Sequence, residues 1–216
     1  MGFKRKSGLW LAVVLLCSMV RAAQTDDAVQ ITVRVRNSAG VGETVLSRAE
    51  AEASRVFALA GITIEWVNCA RLAETMKCHG VLGPNEFDLH VVPTGKTSSD
   101  LVFGESFLGA DGTGKYVDVF FNRIAGIVEE PQVDVADILG AVSAHELGHL
   151  LLGSRSHSGV GIMQPIWEHQ CLREIGMGKL TFTKEQRRLM RSRIQGETAH
   201  LILTRVRVRN SFEEWY

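Results

Sequence analysis

The segment SAHELGHLLLGSRSHSGVGIMQP, Ser143 to Pro165, constrains this chain more than any other part of it. Its first residues end a mostly apolar run that predicts a helix from about Val135 to Leu152. His145 and His149 lie four residues apart in that run, so their side chains project from the same face of the helix. Two imidazoles in this arrangement can bind one metal ion together, and the sequence therefore predicts a metal site on the helix.

Glu146 follows the first of these histidines and is rotated by about 100° from it around the helix axis. That rotation keeps the carboxylate beside the open position of a metal ion, where a general base must lie to take a proton from water. A His-Glu-x-x-His pattern is expected by chance on the order of one time in a hundred in a chain like this. The alternative is a helix with two surface or hydrogen-bonded histidines.

The residues after the helix extend the pattern. They are a glycine, another histidine, a Ser/Gly-rich loop and a turn that contains Met163. Together they resemble the zinc-binding segment of the metzincin clan of metallopeptidases. The resemblance implies one catalytic Zn²⁺ held by His145, His149 and His157, with Glu146 as the general base and Met163 in a turn beneath the metal.

The spacing to the third histidine departs from the family pattern. Gly153 follows His149 by four residues and His157 follows Gly153 by four more, whereas the family has three in each interval. Two extra residues add little to the entropic cost of closing the loop, which favours His157 as the third ligand. The alternatives are Glu168, which would give a peptidase whose third ligand is a downstream glutamate, and His169.

The rest of the chain predicts alternating strands and helices. Four segments have the pattern of strands, and two further helices each begin at a capping box, one at Ser47 and one at Thr183. The stretch from Gly95 to Lys115 predicts a long loop that borders the cleft, with a short strand around 101–103. The predicted strands are 29–36, 62–67, 87–93 and 115–121.

This order of elements is consistent with the fold that the resemblance implies. That fold is α+β and zincin-like, with a twisted mixed β-sheet packed on a capped helix and on the active-site helix that carries His145 and His149. The edge strand of the sheet is expected to border the substrate cleft. Asp134 is predicted to cap the active-site helix, and Gly153 is predicted to end it.

The first 22 residues predict a signal peptide, because a basic start is followed by an apolar run from Leu9 to Val20 that is too short to span a membrane. The predicted organisation is a signal peptide (1–22), a zincin-like metallopeptidase domain (23–196) and a C-terminal tail (197–216) that could add a strand. A secreted, periplasmic or extracellular location follows, with no membrane association after cleavage.

Three cysteines remain after the predicted cleavage. Cys69 and Cys78 lie nine residues apart, and in an oxidising compartment they are predicted to form a disulfide. The alternative is a zinc knuckle that also uses His79, but the close CxxC spacing of structural zinc sites is missing. Cys171 is left without a predicted partner.

Charge bears on the partners. Removal of residues 1–22 lowers Lys plus Arg from 24 to 20 against 24 Asp plus Glu. The resulting net charge of about −4 gives no reason to expect nucleic acid as a partner.

The predicted function is a secreted zinc metalloendopeptidase that hydrolyses a peptide or protein substrate with zinc-activated water and Glu146. The alternatives are a secreted metal-binding protein without peptidase activity and a module whose motif is accidental. The sequence leaves substrate specificity and oligomeric state open.

Overall fold

The computed structural model of the chain describes residues 29–69, 78–96, 101–127 and 133–196. The predicted signal peptide (1–22) and C-terminal tail (197–216) lie outside the described residues. The domain boundaries given above therefore stay predictions.

A five-stranded mixed sheet forms one layer of the described part of the chain. The strands are β1 (Val29–Asn37), β2 (Ile62–Asn68), β3 (Glu86–Val92), β4 (Gly104–Phe107) and β5 (Tyr116–Phe120). They follow the order β2-β1-β3-β5-β4, with parallel pairing throughout except between β4 and β5, which are antiparallel. The four predicted strands are confirmed, whereas the short additional strand, β4, begins at Gly104, just after the predicted 101–103.

Helices form the other layer. They pack on the sheet face that carries alternate β-branched and apolar side chains, such as Val33, Leu89 and Val117, and these residues join the helices in one buried cluster. The helices are α1 (Glu43–Ala58), α2 (Phe121–Gly126), α3 (Val135–Leu152), α4 (His169–Gly176) and α5, in which residues 184–196 are helical. The mixed α/β class of the prediction is confirmed.

The predicted capping box at Ser47 is wrong. Helix α1 begins one turn earlier, at Glu43, and no side chain caps it. The preceding turn is closed by Asn37, whose side chain donates to the Val41 carbonyl at 2.8 Å and accepts from the Val41 amide at 3.0 Å. This turn buries Val41, and the first turn of the helix buries Leu46, so tertiary packing favours a start that local sequence does not show.

The prediction for α3 is confirmed at both ends. The Asp134 side chain accepts a hydrogen bond from the Ala136 amide at 2.8 Å, and Gly153 ends the helix in the left-handed conformation with φ of 63°. By length and composition this helix could cross a membrane, but 83% of it is buried inside the fold. It is therefore the central core helix of the domain, enclosed by the sheet and the other helices.

Helix α5 also starts as predicted. The Thr183 amide donates to the Gln186 side chain at 2.8 Å and the Gln186 amide donates to Thr183 Oγ1 at 3.3 Å, which is the reciprocal pair of a capping box. Met190 and Ile194 of this helix are buried against the core, whereas Leu189 is 40% exposed.

The polar face of the sheet holds the disulfide segment. Cys69 and Cys78 are bonded, so the predicted disulfide is confirmed and the zinc knuckle is excluded. Arg34 donates to the Gly80 carbonyl and Arg36 to the Cys78 carbonyl, and these bonds tie the segment to β1. Cys171 is a buried free thiol.

Replacement of the α3 cap is expected to destabilise the whole domain. Asp134→Ala leaves the Ala136 amide without its partner and should lower the free energy of unfolding by about 1 kcal/mol in urea denaturation. Asp134→Asn keeps the acceptor but loses the ion pair with Arg48, so it should retain most of the stability. Equal losses in the two variants would contradict the capping role.

The same comparison has a pH dependence. The Ala136 amide and the Arg48 guanidinium hold the pKa of Asp134 below its ordinary value of 3.8. A lowered pKa in the folded state gives stability that is present above the unfolded pKa and lost as pH falls through the folded one. The difference between the wild type and Asp134→Ala should therefore shrink below about pH 3.8.

Candidate metal centre

Three histidines come together at the end of α3. His145 and His149 project from the helix, and His157 reaches the same place from the loop that follows. One nitrogen atom from each of the three rings lies within 4.8 Å of the other two. Within the described residues this is the group of side chains suited to hold a metal ion, and it is the set that the sequence predicts.

Backbone carbonyls set the tautomers of two of these rings. Nδ1 of His145 lies 2.7 Å from the Ile162 carbonyl oxygen, and Nδ1 of His149 lies 2.8 Å from the Ser154 carbonyl oxygen. A carbonyl oxygen can only accept, so both Nδ1 atoms carry the proton. The Nε2 atoms are left with lone pairs and lie 3.1 Å apart. A cation bound by both atoms would stabilise this arrangement, because the two lone pairs otherwise repel each other.

Burial keeps these rings neutral. Loss of solvation lowers the pKa of His145 to about 3 and also lowers the pKa of His149. The pKa of His157 is lowered for the same reason, although this side chain is more exposed. Neutral imidazole is the form that binds metals, and three such donors with room for a fourth ligand fit a zinc cofactor.

The lengthened loop to His157 is held at several points. The Ser156 amide donates to Ser154 Oγ at 3.0 Å, and the Ser158 amide donates to the Met163 carbonyl at 2.8 Å. Gln186 of α5 donates to Ser158 Oγ at 3.1 Å. These contacts absorb the two extra residues and bring the His157 ring to 4.9 Å from the His149 ring, centroid to centroid.

The two alternative ligands lie elsewhere. Glu168 occupies the N-cap position of α4, His169 begins that helix, and both are exposed. Neither belongs to the metal-binding group found within the described residues. The structure therefore brings His157 to the two helix histidines and does not bring Glu168 or His169 there.

Met163 packs against α3 at Gly148, which lies between the two helix histidines in sequence. It is fully buried, and its sulfur lies 2.8 Å from the point where a Cβ at Gly148 would be. The Phe182 ring is equally close to that point. Glycine between the two histidines therefore allows the methionine turn to approach the helix, and this approach holds the Ile162 carbonyl against His145.

Glu146 lies beside the histidines, opposite the edge strand β4. Ser106 Oγ lies 2.5 Å from Glu146 Oε2 and 2.8 Å from the Glu146 carbonyl oxygen. Burial raises the pKa of the Glu146 carboxyl to about 7, although the Ser106 hydrogen bond opposes the shift. A carboxyl with a pKa near neutrality can both accept and return a proton.

A cleft of about 460 Å³ runs between β4 and these residues. One wall is the segment from Leu101 to Phe107, so the predicted loop from Gly95 to Lys115 does border the cleft. The other wall carries the three histidines and Glu146 together with Gln164 and Pro165, which follow Met163. The remaining lining residues are Val142, Arg155 and Trp167.

Sequence reasoning missed three residues of this cleft. Ser106 belongs to a four-residue strand with no distinctive pattern, and Arg155 lies in the irregular loop before His157, where no sequence period marks a functional residue. Trp167, whose ring centroid is 5.7 Å from that of His145, lies next to the rejected ligand Glu168. The signal that could have found the last two is their closeness in sequence to His157 and Met163.

Comparisons with known proteins give structural neighbours only. No protein-family model and no curated protein matches the sequence. The fold is similar to that of the archaemetzincin of Methanopyrus kandleri, with 14% identity over 81% of this chain and 99% of that one and a TM-score of 0.48. A zinc-dependent peptidase of Methanocorpusculum labreanum is also similar, with 14% identity over 73% and 99% and a TM-score of 0.49.

Substitution at Gly148 tests the approach of the methionine turn. A methyl group there would overlap Met163 and Phe182, so Gly148→Ala should lower the free energy of unfolding by about 1–3 kcal/mol in urea denaturation. Gly126→Ala is the control, because nothing lies within 4 Å of its Cβ position, and its stability should be unchanged or raised. A neutral Gly148→Ala would contradict the close contact.

Metal analysis tests the donor set. The dialysed wild type should hold about one zinc per chain. Loss of a residue that only hydrogen-bonds to a ligand typically lowers metal affinity by roughly 10- to 100-fold, and His157→Ala, which removes a ligand itself, should lower the zinc affinity by more than that. Glu168→Gln is the matched control and should bind zinc like the wild type. Zinc kept by His157→Ala but lost by Glu168→Gln would identify Glu168 as the third ligand in place of His157. No zinc in any of the three proteins would contradict the metal centre.

Proposed function

We propose that this chain is a secreted zinc-dependent endopeptidase with a metzincin-like site on a zincin-type fold. The observation that carries the proposal is the position of Glu146, a buried carboxyl directly beside three converging neutral imidazoles and open to a cleft. A structural metal site needs no such carboxyl. A hydrolytic site needs one to move a proton.

Each residue of the site has a separate role in the proposed reaction. His145, His149 and His157 would hold the zinc, which supplies Lewis-acid chemistry by acidifying water and polarising the scissile carbonyl. Glu146 would take the proton of the attacking water at its carboxylate and deliver it to the leaving amine. Ser106 holds the Glu146 side chain in place and thereby orients the proton transfer.

The edge strand offers a place for the peptide. Among the described residues, strand β4 pairs with β5 and with no other strand, so the backbone groups of its other edge are available to an extended chain. A peptide that adds to this edge would lie along the cleft and pass Glu146, because Ser106 of the same strand contacts that residue. This supports cleavage within an extended segment, which is endopeptidase action.

Export is supported by the covalent chemistry of the chain. The bond between Cys69 and Cys78 is of the kind that persists in oxidising compartments. Together with the basic and apolar start of the sequence, it favours secretion.

The test separates hydrolysis from metal binding. Glu146→Gln keeps a side chain of the same shape that cannot accept the proton, so it should bind one zinc while cleavage of a denatured protein substrate falls by about 10²- to 10⁴-fold. Cleavage is followed by mass spectrometry, and removal of zinc with a chelator should abolish it in the wild type. Zinc-loaded wild type that cleaves no peptide would contradict the proposal and leave a metal-binding protein.

A further inference from the structure

Arg155 introduces a positive charge into the cleft. It is exposed and lines the same cavity as the three histidines and Glu146. Among the described lining residues it is the one Lys or Arg side chain. Within the described part of the chain no carboxylate pairs with it, and its hydrogen bond goes to a backbone carbonyl.

That hydrogen bond fixes where the guanidinium lies. Arg155 Nη2 donates to the Leu108 carbonyl oxygen at 2.6 Å, immediately beyond the last residue of β4. Leu108 follows Ser106 by two residues, which corresponds to about 7 Å along an extended strand. The guanidinium therefore lies at one end of the cleft, about two substrate residues away from the place where Ser106 contacts Glu146.

The other charges of the cleft lie near Glu146. Glu105 of β4 lines the cavity next to Ser106, the residue that contacts Glu146. The cleft thus has carboxyl groups beside the reaction centre and a guanidinium toward the carboxyl end of β4. A bound peptide meets opposite charges at different points along its length, and such a field orients it.

We propose that Arg155 is a specificity-determining residue that binds an acidic side chain of the substrate, an inference that rests on the peptidase function proposed above. The N–H groups of Arg155 that do not bind Leu108 suit a carboxylate. Antiparallel pairing is the commoner kind between strands, and an extended peptide that pairs in this way with β4 has its amino-terminal side at the Leu108 end. The site therefore selects peptides with Asp or Glu about two residues before the scissile bond.

The experiment measures a preference and not activity alone. A peptide mixture from a digested proteome is cleaved by the zinc-loaded full chain, and the cleavage sites are identified by mass spectrometry. Asp and Glu should be enriched one to three residues before the scissile bond. A matched pair of peptides, with Asp or Asn at the preferred position, should differ about tenfold in kcat/KM.

The variant Arg155→Gln removes the charge and keeps an N–H donor for the Leu108 carbonyl. For this variant, the ratio of kcat/KM for the Asp peptide to kcat/KM for the Asn peptide should fall to about one. Its zinc content and unfolding midpoint should stay as in the wild type. Arg155→Lys, which keeps the charge, should restore part of the ratio. Arg173→Gln is the control for net charge, because Arg173 is exposed on α4 outside the cleft, and its ratio should equal that of the wild type.

The outcomes separate this inference from the proposed function. A wild type that cleaves peptides with no preference for Asp or Glu, or an Arg155→Gln variant that keeps the preference, overturns the role of Arg155 and leaves the peptidase standing. Loss of zinc in Arg155→Gln would show that the residue holds the His157 loop instead. Zinc-loaded wild type without any cleavage overturns the proposed function and this inference with it.

Discussion

Two hydrogen bonds from imidazole to backbone hold the site together. His145 and His149 each donate from Nδ1 to a carbonyl oxygen, one in the methionine turn and one just past the end of α3. These bonds orient both rings with the Nε2 lone pairs toward one point, and burial keeps the rings uncharged. The turn and the loop can only provide these carbonyls because the core places them against the helix.

The proposed hydrolysis also requires a carboxyl group that is buried but open to the cleft. Helix α3 is enclosed on most sides, and the cleft beneath β4 is where its polar face is open. Strand β4 supplies Ser106, which contacts Glu146, and no other described strand pairs with its outer edge, where we propose that an extended peptide binds. Arg155 is anchored at the end of the same strand, so this short strand contacts both the proposed general base, Glu146, and the guanidinium proposed to bind the substrate.

The comparison of sequence and structure shows where local patterns suffice. The ends of α3 were predictable, because Asp134 and Gly153 act through bonds within their own turn. The same reasoning failed at α1, where burial of Val41 and Leu46 extends the helix past the Ser47 pattern. It also misplaced the short strand β4, which depends on pairing with β5 and not on its own four residues.

The sequence by itself determined the spacing of His145, Glu146 and His149 on one helical face, since helix geometry converts spacing into direction. It also determined the disulfide, because cysteines nine residues apart can close a short loop. Only the tertiary structure decided that His157 joins the other two histidines and that Glu168 does not. A loop has no fixed period, so its path depends on contacts with α5, the methionine turn and the end of β4, which lie far apart in sequence.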